Sequence, residues 1–203
     1  MRNNAFSQTE RAAIEEAIKH KYQAVAAGAG GFFSYAVGKE GALRLGYGEE
    51  LLAALPESVL NSFCGVGNPF SLGAILPGSV VLDIGCGAGF DLYVASTLTG
   101  GNGYVYGIDL TYPMAARAVT NLSSLAVANA SIVNGCGDSL PFADACFDLV
   151  ISSGAINLCP EKPKLFAEIY RVLKPGGRLH FADIILEGEL PPHLSTSVES
   201  WSQ

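Results

Sequence analysis

Val80-Val81-Leu82-Asp83-Ile84-Gly85-Cys86-Gly87-Ala88-Gly89-Phe90-Asp91 is an apolar strand with one acidic residue that runs through three alternating glycines into a helix. Glycine lacks a Cβ, so a loop bearing Gly85, Gly87 and Gly89 can adopt dihedrals other residues avoid and bring backbone amides against a ligand. A dinucleotide fingerprint reads G-x-G-x-x-G, with the third glycine closing helix onto strand. Here Phe90 stands at that third place, and its bulk argues against a pyrophosphate on the helix N-terminus. About twenty residues on, Gly103-Tyr104-Val105-Tyr106-Gly107-Ile108-Asp109 reads as a second strand ending in a carboxylate. Asp109 can accept from both hydroxyls of a ribose, at roughly 1.5–3 kcal/mol per charge-assisted bond. No Lys, Arg, Ser or Thr follows the glycines as a phosphate-binding loop requires, so the pattern fits a nucleoside without phosphates.

Outward from this stretch the chain keeps a regular rhythm. Ser7-Gln8-Thr9-Glu10 has the spacing of a capping box, opening a helix that runs to about Ala27. Gly28-Ala29-Gly30-Gly31 ends it. Residues 32–70 read as short helical turns and loops that act as a lid, which divides the chain into an N-terminal helix and lid (1–70) and a ligand-binding domain (71–203). From Val80 strands and helices alternate: strands 80–84, 105–109, 130–134, 147–152 and 178–185, with helices 90–98, 113–127 and 163–173 between them. That alternation predicts a doubly wound, mostly parallel α/β sheet with helices on both faces. Ligands in such sheets bind beyond the carboxyl ends of the strands, so Gly85, Asp109, Cys136 and Ser152 are expected to line one crevice.

The 203 residues, 49% hydrophobic and 15% charged, suffice for one domain with a substantial core. A net charge of −7 lacks the clustered Lys and Arg that neutralise phosphates, which disfavours a nucleic-acid partner. The polar N-terminus has no signal-peptide core, and no apolar run reaches the roughly 18 residues of a membrane span. The five cysteines are scattered without a C-x-x-C pair, pointing to a cytoplasmic chain with free thiols.

Four segments in order resemble the class I methyltransferases that use S-adenosylmethionine: Leu82-Asp83-Ile84-Gly85-Cys86-Gly87-Ala88-Gly89; Gly107-Ile108-Asp109; Asp138-Ser139-Leu140-Pro141-Phe142 with Cys146-Phe147-Asp148-Leu149-Val150; and Leu173-Lys174-Pro175-Gly176-Gly177-Arg178-Leu179. The resemblance implies S-adenosylmethionine as cofactor. It sets Gly85, Gly87 and Gly89 against the methionine part with Asp83 near its amino group, and Asp109 on the ribose. Leu110 or Met114 would lie against the adenine face, and Cys136-Gly137-Asp138 would read the adenine edge. The family commonly has an acidic residue at the Cys136 position; Asp138 stands two residues on.

A narrower likeness is to the arsenite methyltransferases. It rests on Leu45-Gly46-Tyr47 with Leu55-Pro56-Glu57, on Gly65-Val66-Gly67-Asn68-Pro69, on Ile156-Asn157-Leu158 with Pro160-Glu161-Lys162, and on Phe166 to Gly177. In that family three thiolates grip trivalent arsenic, a task for soft ligands. Here Val66 and Gly154 stand where two of those cysteines are expected, and the third belongs near Trp201. Cys64 and Cys159, two and five residues away, are either relocated ligands or small packing residues. The family fold implies strand order 3-2-1-4-5, with the chain reading as truncated before the last two strands. Its exposed sheet edge would be covered by the tail or by a second copy in a homodimer.

Candidates for the acceptor side are Asn157, Cys64, Cys159 and Tyr35; Tyr35 and Tyr47 read as lid residues packing over the cofactor. No metal-ligand cluster or obvious base stands out. The leading reading is a methyltransferase acting on a small-molecule acceptor, a thiol or metalloid. Behind it stand a protein that binds S-adenosylmethionine without methyl transfer and, last, an NAD-dependent oxidoreductase.

Overall fold

A computed structural model describes residues 6–185 and Gly188. Five strands, β1 (Val80–Ile84), β2 (Tyr104–Asp109), β3 (Ala130–Asn134), β4 (Phe147–Ser153) and β5 (Leu173–Ala182), form one parallel sheet in the order β3-β2-β1-β4-β5. β1 is central because its apolar run is buried on both faces. Leu82 and Ile84 pack with Ile108, Val150, Leu165 and Ile169 on one side, and Val81 packs with Val105, Leu149, Ile151 and Leu92 on the other. This is the two-residue period of a strand covered on both faces.

Helix α1 (Gln8–Val25) starts at the capping box: the Ser7 hydroxyl accepts from the Glu10 amide, and the Glu10 carboxylate accepts from the Ser7 amide at 2.7 Å. Its buried face carries Ile14, Ile18 and Val25, each worth about 1.5–3 kcal/mol of burial. Short helices α2 (Gly38–Arg44), α3 (Glu49–Ala53) and α4 (Glu57–Leu60) follow, then a 3-10 turn at Pro69–Leu72. Helices α5 (Phe90–Thr99) and α6 (Tyr112–Ser124) serve one face of the sheet, and α7 (Lys162–Val172) covers the other.

Two expectations change. The stretch from Phe32 to Phe70 is built of short turns as foreseen, but it packs sideways on α5: Tyr47, Leu52, Val59 and Phe63 form one cluster with Phe90 and Val94. Only Cys64 of this stretch reaches the ligand cleft, whereas α1 lines it with Glu15, Ile18 and Tyr22. Strand β5 begins at Leu173 instead of Arg178, because Leu173 already pairs with Phe147 and a register shift before Leu149 absorbs the Pro175-Gly176-Gly177 kink. The tail expected on the β5 edge, and the Trp201 region, lie outside the described residues. Among those residues no helix is long and apolar enough to cross a membrane.

Candidate functional site

Beyond the carboxyl ends of β1, β2, β3 and β4 lies a cleft, partly open to solvent. Its floor is the glycine loop. Gly85 has a left-handed φ of +74°, and a Cβ there would collide with the Ala155 methyl; Gly87, at φ +52°, faces the Met114 methyl. Only glycine satisfies both the dihedral and the space at position 85. Gly89 is also left-handed, at φ +87°, but it caps α5 and packs against Ala118 of α6, outside the cleft lining. Two of the three glycines therefore face the cleft, and the third closes helix on helix.

Asp109, at the end of β2, lines the cleft with both carboxylate oxygens engaged: Oδ2 accepts from the Gly87 amide at 2.9 Å and Oδ1 from the Thr111 amide at 2.8 Å. Each oxygen keeps a further acceptor position directed to other donors. Burial pushes its pKa up to about 6, against the pull of those two amides. Leu110, Met114, Cys136, Gly137 and Asp138 line the same cleft, so the turns after β2 and β3 meet there as their strand-end positions require. Gly137 has no room for a side chain, since a Cβ would press on Leu165 and Ile84. Asp138 pairs with Lys164 at 3.5 Å on α7.

Cys64 and Cys159 also line the cleft. Burial raises all three cleft thiols; Cys64 and Cys136 are both pushed up to about 12, and Cys64 feels the Asp109 charge as well. At neutral pH they are therefore thiols and not thiolates.

The other expected residues lie elsewhere. Ser152 is buried, and its hydroxyl donates to the Ile84 carbonyl at 2.8 Å; Ser153 faces the cleft instead, because strand parity puts neighbours on opposite faces. Ser153 Oγ holds the preceding loop, accepting from the Val66 amide at 3.1 Å and donating to the Gly67 carbonyl at 3.0 Å. A Cβ on Gly154 would stand 3.2 Å from Val66, so the two positions where cysteines were expected touch each other. Asn157 does not line the cleft: its backbone N–H donates to Asp183 at 2.7 Å, and its side-chain Oδ1 is buried without a partner among the described residues. Tyr35 sits behind Cys64, donating to the Cys64 carbonyl at 3.1 Å and packed on Phe33. Tyr47 is not over the cleft either; it is buried edge-on among Phe63, Phe70 and Phe90.

Asp83 is 3% exposed and shares strand parity with Val81, so it lies on the α5 side and not in the cleft lining. Its Oδ2 has no hydrogen-bond partner among the described residues. Burial, then the charges of Asp91 and Asp109, hold its carboxyl well above the usual range. Asp91, in the first turn of α5, accepts a 2.6 Å hydrogen bond from the Tyr47 hydroxyl and is pushed by burial up to about 7.

Unforeseen were Glu15, Ile18 and Tyr22, which α1 contributes as a roof. The helical spacing of Ile14, Ile18 and Val25 signalled a buried face, though not what it covers. Arg11 of α1 pairs at 2.9 Å with Glu161, two residues from Cys159, and ties that roof to the far wall. Among the described residues no group of three or more His, Cys, Asp or Glu is arranged to hold a metal ion.

The residues fit a sulfonium nucleoside. Among the described residues no Lys, Arg or His lines the cleft to meet a phosphate, Asp109 has free acceptor positions for ribose hydroxyls, Leu110 and Met114 supply an apolar wall, and Asp83, Asp91 and Asp109 around the loop form no ion pair. A family model described as a methyltransferase domain matches residues 75–203. An arsenite methyltransferase from Halobacterium salinarum is 36% identical over 173 residues, covering 85% of this chain and 44% of that protein. One from Mus musculus is 33% identical over 166 residues, covering 77% and 44%. The chain spans less than half the length of these relatives. A crystal structure of an arsenic(III) S-adenosylmethionine methyltransferase from Chlamydomonas reinhardtii superposes with a TM-score of 0.65 at 37% identity, over 71% of this chain and 51% of that one. The match over more than half of the chain, on a fold and a cleft of matching chemistry, shows that it belongs to the methyltransferase domain family, whose cofactor is S-adenosylmethionine.

Proposed function

We propose that this chain transfers a methyl group from S-adenosylmethionine to a small-molecule acceptor, a thiol or a trivalent metalloid. The observation that carries it is the cleft in which Gly85, Gly87 and a twice-anchored Asp109 meet three thiols, Cys64, Cys136 and Cys159. When bound, the cofactor supplies an electrophilic methyl carbon on a sulfonium that leaves neutral. What remains for the protein is alignment of the acceptor with that carbon, a task worth several kcal/mol when geometry is held. Asp109 fixes the ribose, its carboxylate already oriented by the Gly87 and Thr111 amides. Gly85 and Gly87 bring backbone against the amino-acid part, Leu110 and Met114 flank the base, and Cys136-Gly137-Asp138 borders its edge. Tyr22 and Ile18 of α1 exclude water above. Cys64 and Cys159 are soft donors suited to a thiophilic acceptor, and each sheds a proton to hold one.

A second reading, cofactor binding without methyl transfer, is favoured by Val66 and Gly154, which put an isopropyl group and a bare backbone where family thiols are expected. Calorimetric titration with S-adenosylmethionine, S-adenosylhomocysteine and NAD tests the cofactor. Tight NAD binding without a response to the sulfonium sinks both readings. Radiolabelled methyl transfer to arsenite, small thiols and quinols then separates them: label in any of these supports the enzyme, and binding without label across the panel supports the second reading.

A further inference from the structure

Asp83, Asp91 and Asp109 converge on the glycine loop from β1, α5 and β2, and among the described residues none of them forms an ion pair with Lys, Arg or His. Asp83 and Asp91 are 3% and 8% exposed. The groups that face Asp83 are Asp91 from α5, Asp109 from β2, the Tyr47 hydroxyl from the segment before α3, and the neutral Cys86 thiol of the loop itself. Every ionisable neighbour is thus acidic or neutral. Asp91 has one hydroxyl donor, from Tyr47, and Asp83 Oδ2 has none. Two buried carboxylates with one donor between them and no cation cannot both stay ionised.

We propose that Asp83 and Asp91 hold one proton between them in the ligand-free protein and release it to solvent when the positively charged end of the cofactor docks, making cofactor binding proton-linked. This rests on reading the cleft as a site for S-adenosylmethionine. The coupling acts through the loop and not by contact, because neither carboxyl lines the cleft, whereas Ile84, Gly85 and Asp109 beside them do. An incoming sulfonium and ammonium supply the cation the cluster lacks, which favours the dianionic pair; no bond is made or broken except the O–H whose proton goes to water. Tyr47 is the positioning residue, since its hydroxyl selects which Asp91 oxygen stays negative. The raised values of Asp83 and Asp91 agree with this arrangement.

The test has two arms. In the ligand-free protein, carboxyl-carbon NMR across a pH series is expected to show a resonance titrating near neutrality that is lost in Asp91→Asn. Titration of every carboxyl below about pH 5, near ordinary carboxylate values, overturns the proposal without touching the cofactor reading. In calorimetry at about pH 6, where the cofactor's own amino group is fully charged, S-adenosylmethionine binding in buffers of different ionisation enthalpy is expected to release most of the proton the pair holds. Part of any release belongs to Asp109, so the decisive quantity is the difference between wild type and Asp91→Asn, expected to exceed half a proton. Binding with equal release in both proteins overturns the proposal; absence of binding in the wild type overturns the cofactor reading and this proposal with it. Should Asp91→Asn fail to fold, Asp83→Asn takes its place, and the proposal stands only if a near-neutral resonance is lost there while that of Asp109, at about 6, persists.

Discussion

The two ends of the sheet treat their carboxylates in opposite ways. At the amino ends of the strands, Asp148 accepts from Lys174 Nζ with both oxygens at 2.8 Å and from the Val80 amide, and Glu168 takes a two-pronged bond from Arg171 and another from the Leu140 amide. These groups lie below the ordinary carboxylate range: Glu168 chiefly through Arg171, and Asp148 because Lys174 and Val80 outweigh its partial burial. At the carboxyl ends, Asp83, Asp91 and Asp109 are held above that range by burial, with backbone amides and one tyrosine as their donors. Saturated pairing marks carboxylates that fasten structure: Asp148 ties β1, β4 and β5 together, and Glu168 ties α7 to the loop before β4. Unmet negative charge in a buried cluster costs stability and is tolerated where a cationic ligand arrives to meet it.

The sharpest break in this contrast comes from Asp109→Ala, which on the proposed reading removes two ribose acceptors and is expected to weaken S-adenosylmethionine binding by on the order of 100-fold, from roughly 1.5 kcal/mol per bond. Asp148→Asn, at the other end, is expected to leave that affinity unchanged, and calorimetry on both proteins reads the difference. Equal losses would erase the functional distinction between the two ends.

Stability against pH gives the next effect. Asp91 and Asp109 titrate higher in the folded than in the unfolded chain, so the stability they contribute is complete below about pH 4 and is lost as pH rises through about 6 and 7. Asp148 and Glu168 have the opposite sign: their contribution is present above about pH 4.5 and is lost on acidification. His180, lowered by burial, destabilises only as pH falls below its ordinary value. From about pH 5 to about pH 8 the loop cluster therefore dominates, and urea unfolding is expected to show a fall of roughly 2 kcal/mol. A flat profile over that window would mean the cluster is not buried as described.

Arg171→Ala cuts the bonds to Glu168, Asp144, Phe142 and Leu140 and is expected to cost about 1.5 kcal/mol of stability with cofactor affinity intact. Tyr47→Phe is expected to cost about 1 kcal/mol, and, unlike Arg171→Ala, to shift the pH dependence of cofactor binding, because Asp91 loses its donor. A Tyr47→Phe protein with an unaltered pH profile would confine that residue to packing.

Much of this architecture was legible in the chain itself. The apolar runs of β1, β2 and β3 predict their boundaries to within a residue, since β-branched and aliphatic residues bounded by glycine, asparagine or a carboxylate mark where each strand starts and stops, on the half-exposed edge strand β3 as well as on the buried β1. Asp109 was legible because it terminates such a strand. Ser152 against Ser153, and Asp83 against its neighbours, turned on parity and side-chain direction, which a run of apolar residues on both faces does not reveal. Asn157 and Tyr35 were chosen for chemistry near a strand end, but neither lines the cleft: the Asn157 backbone is held by Asp183, and the Tyr35 hydroxyl is spent on the Cys64 carbonyl.

By itself the sequence determined the parallel sheet, the ligand end and the nucleoside chemistry, because periodicity, glycine dihedrals and a strand-end carboxylate are local properties. Only tertiary structure decided that α1 roofs the cleft, that the segment before the sheet packs on α5, and that Asp83 and Asp91 are both buried without an ion pair among the described residues. Those depend on which faces meet across long stretches of chain, and an amphipathic pattern specifies that a face is buried without specifying against what.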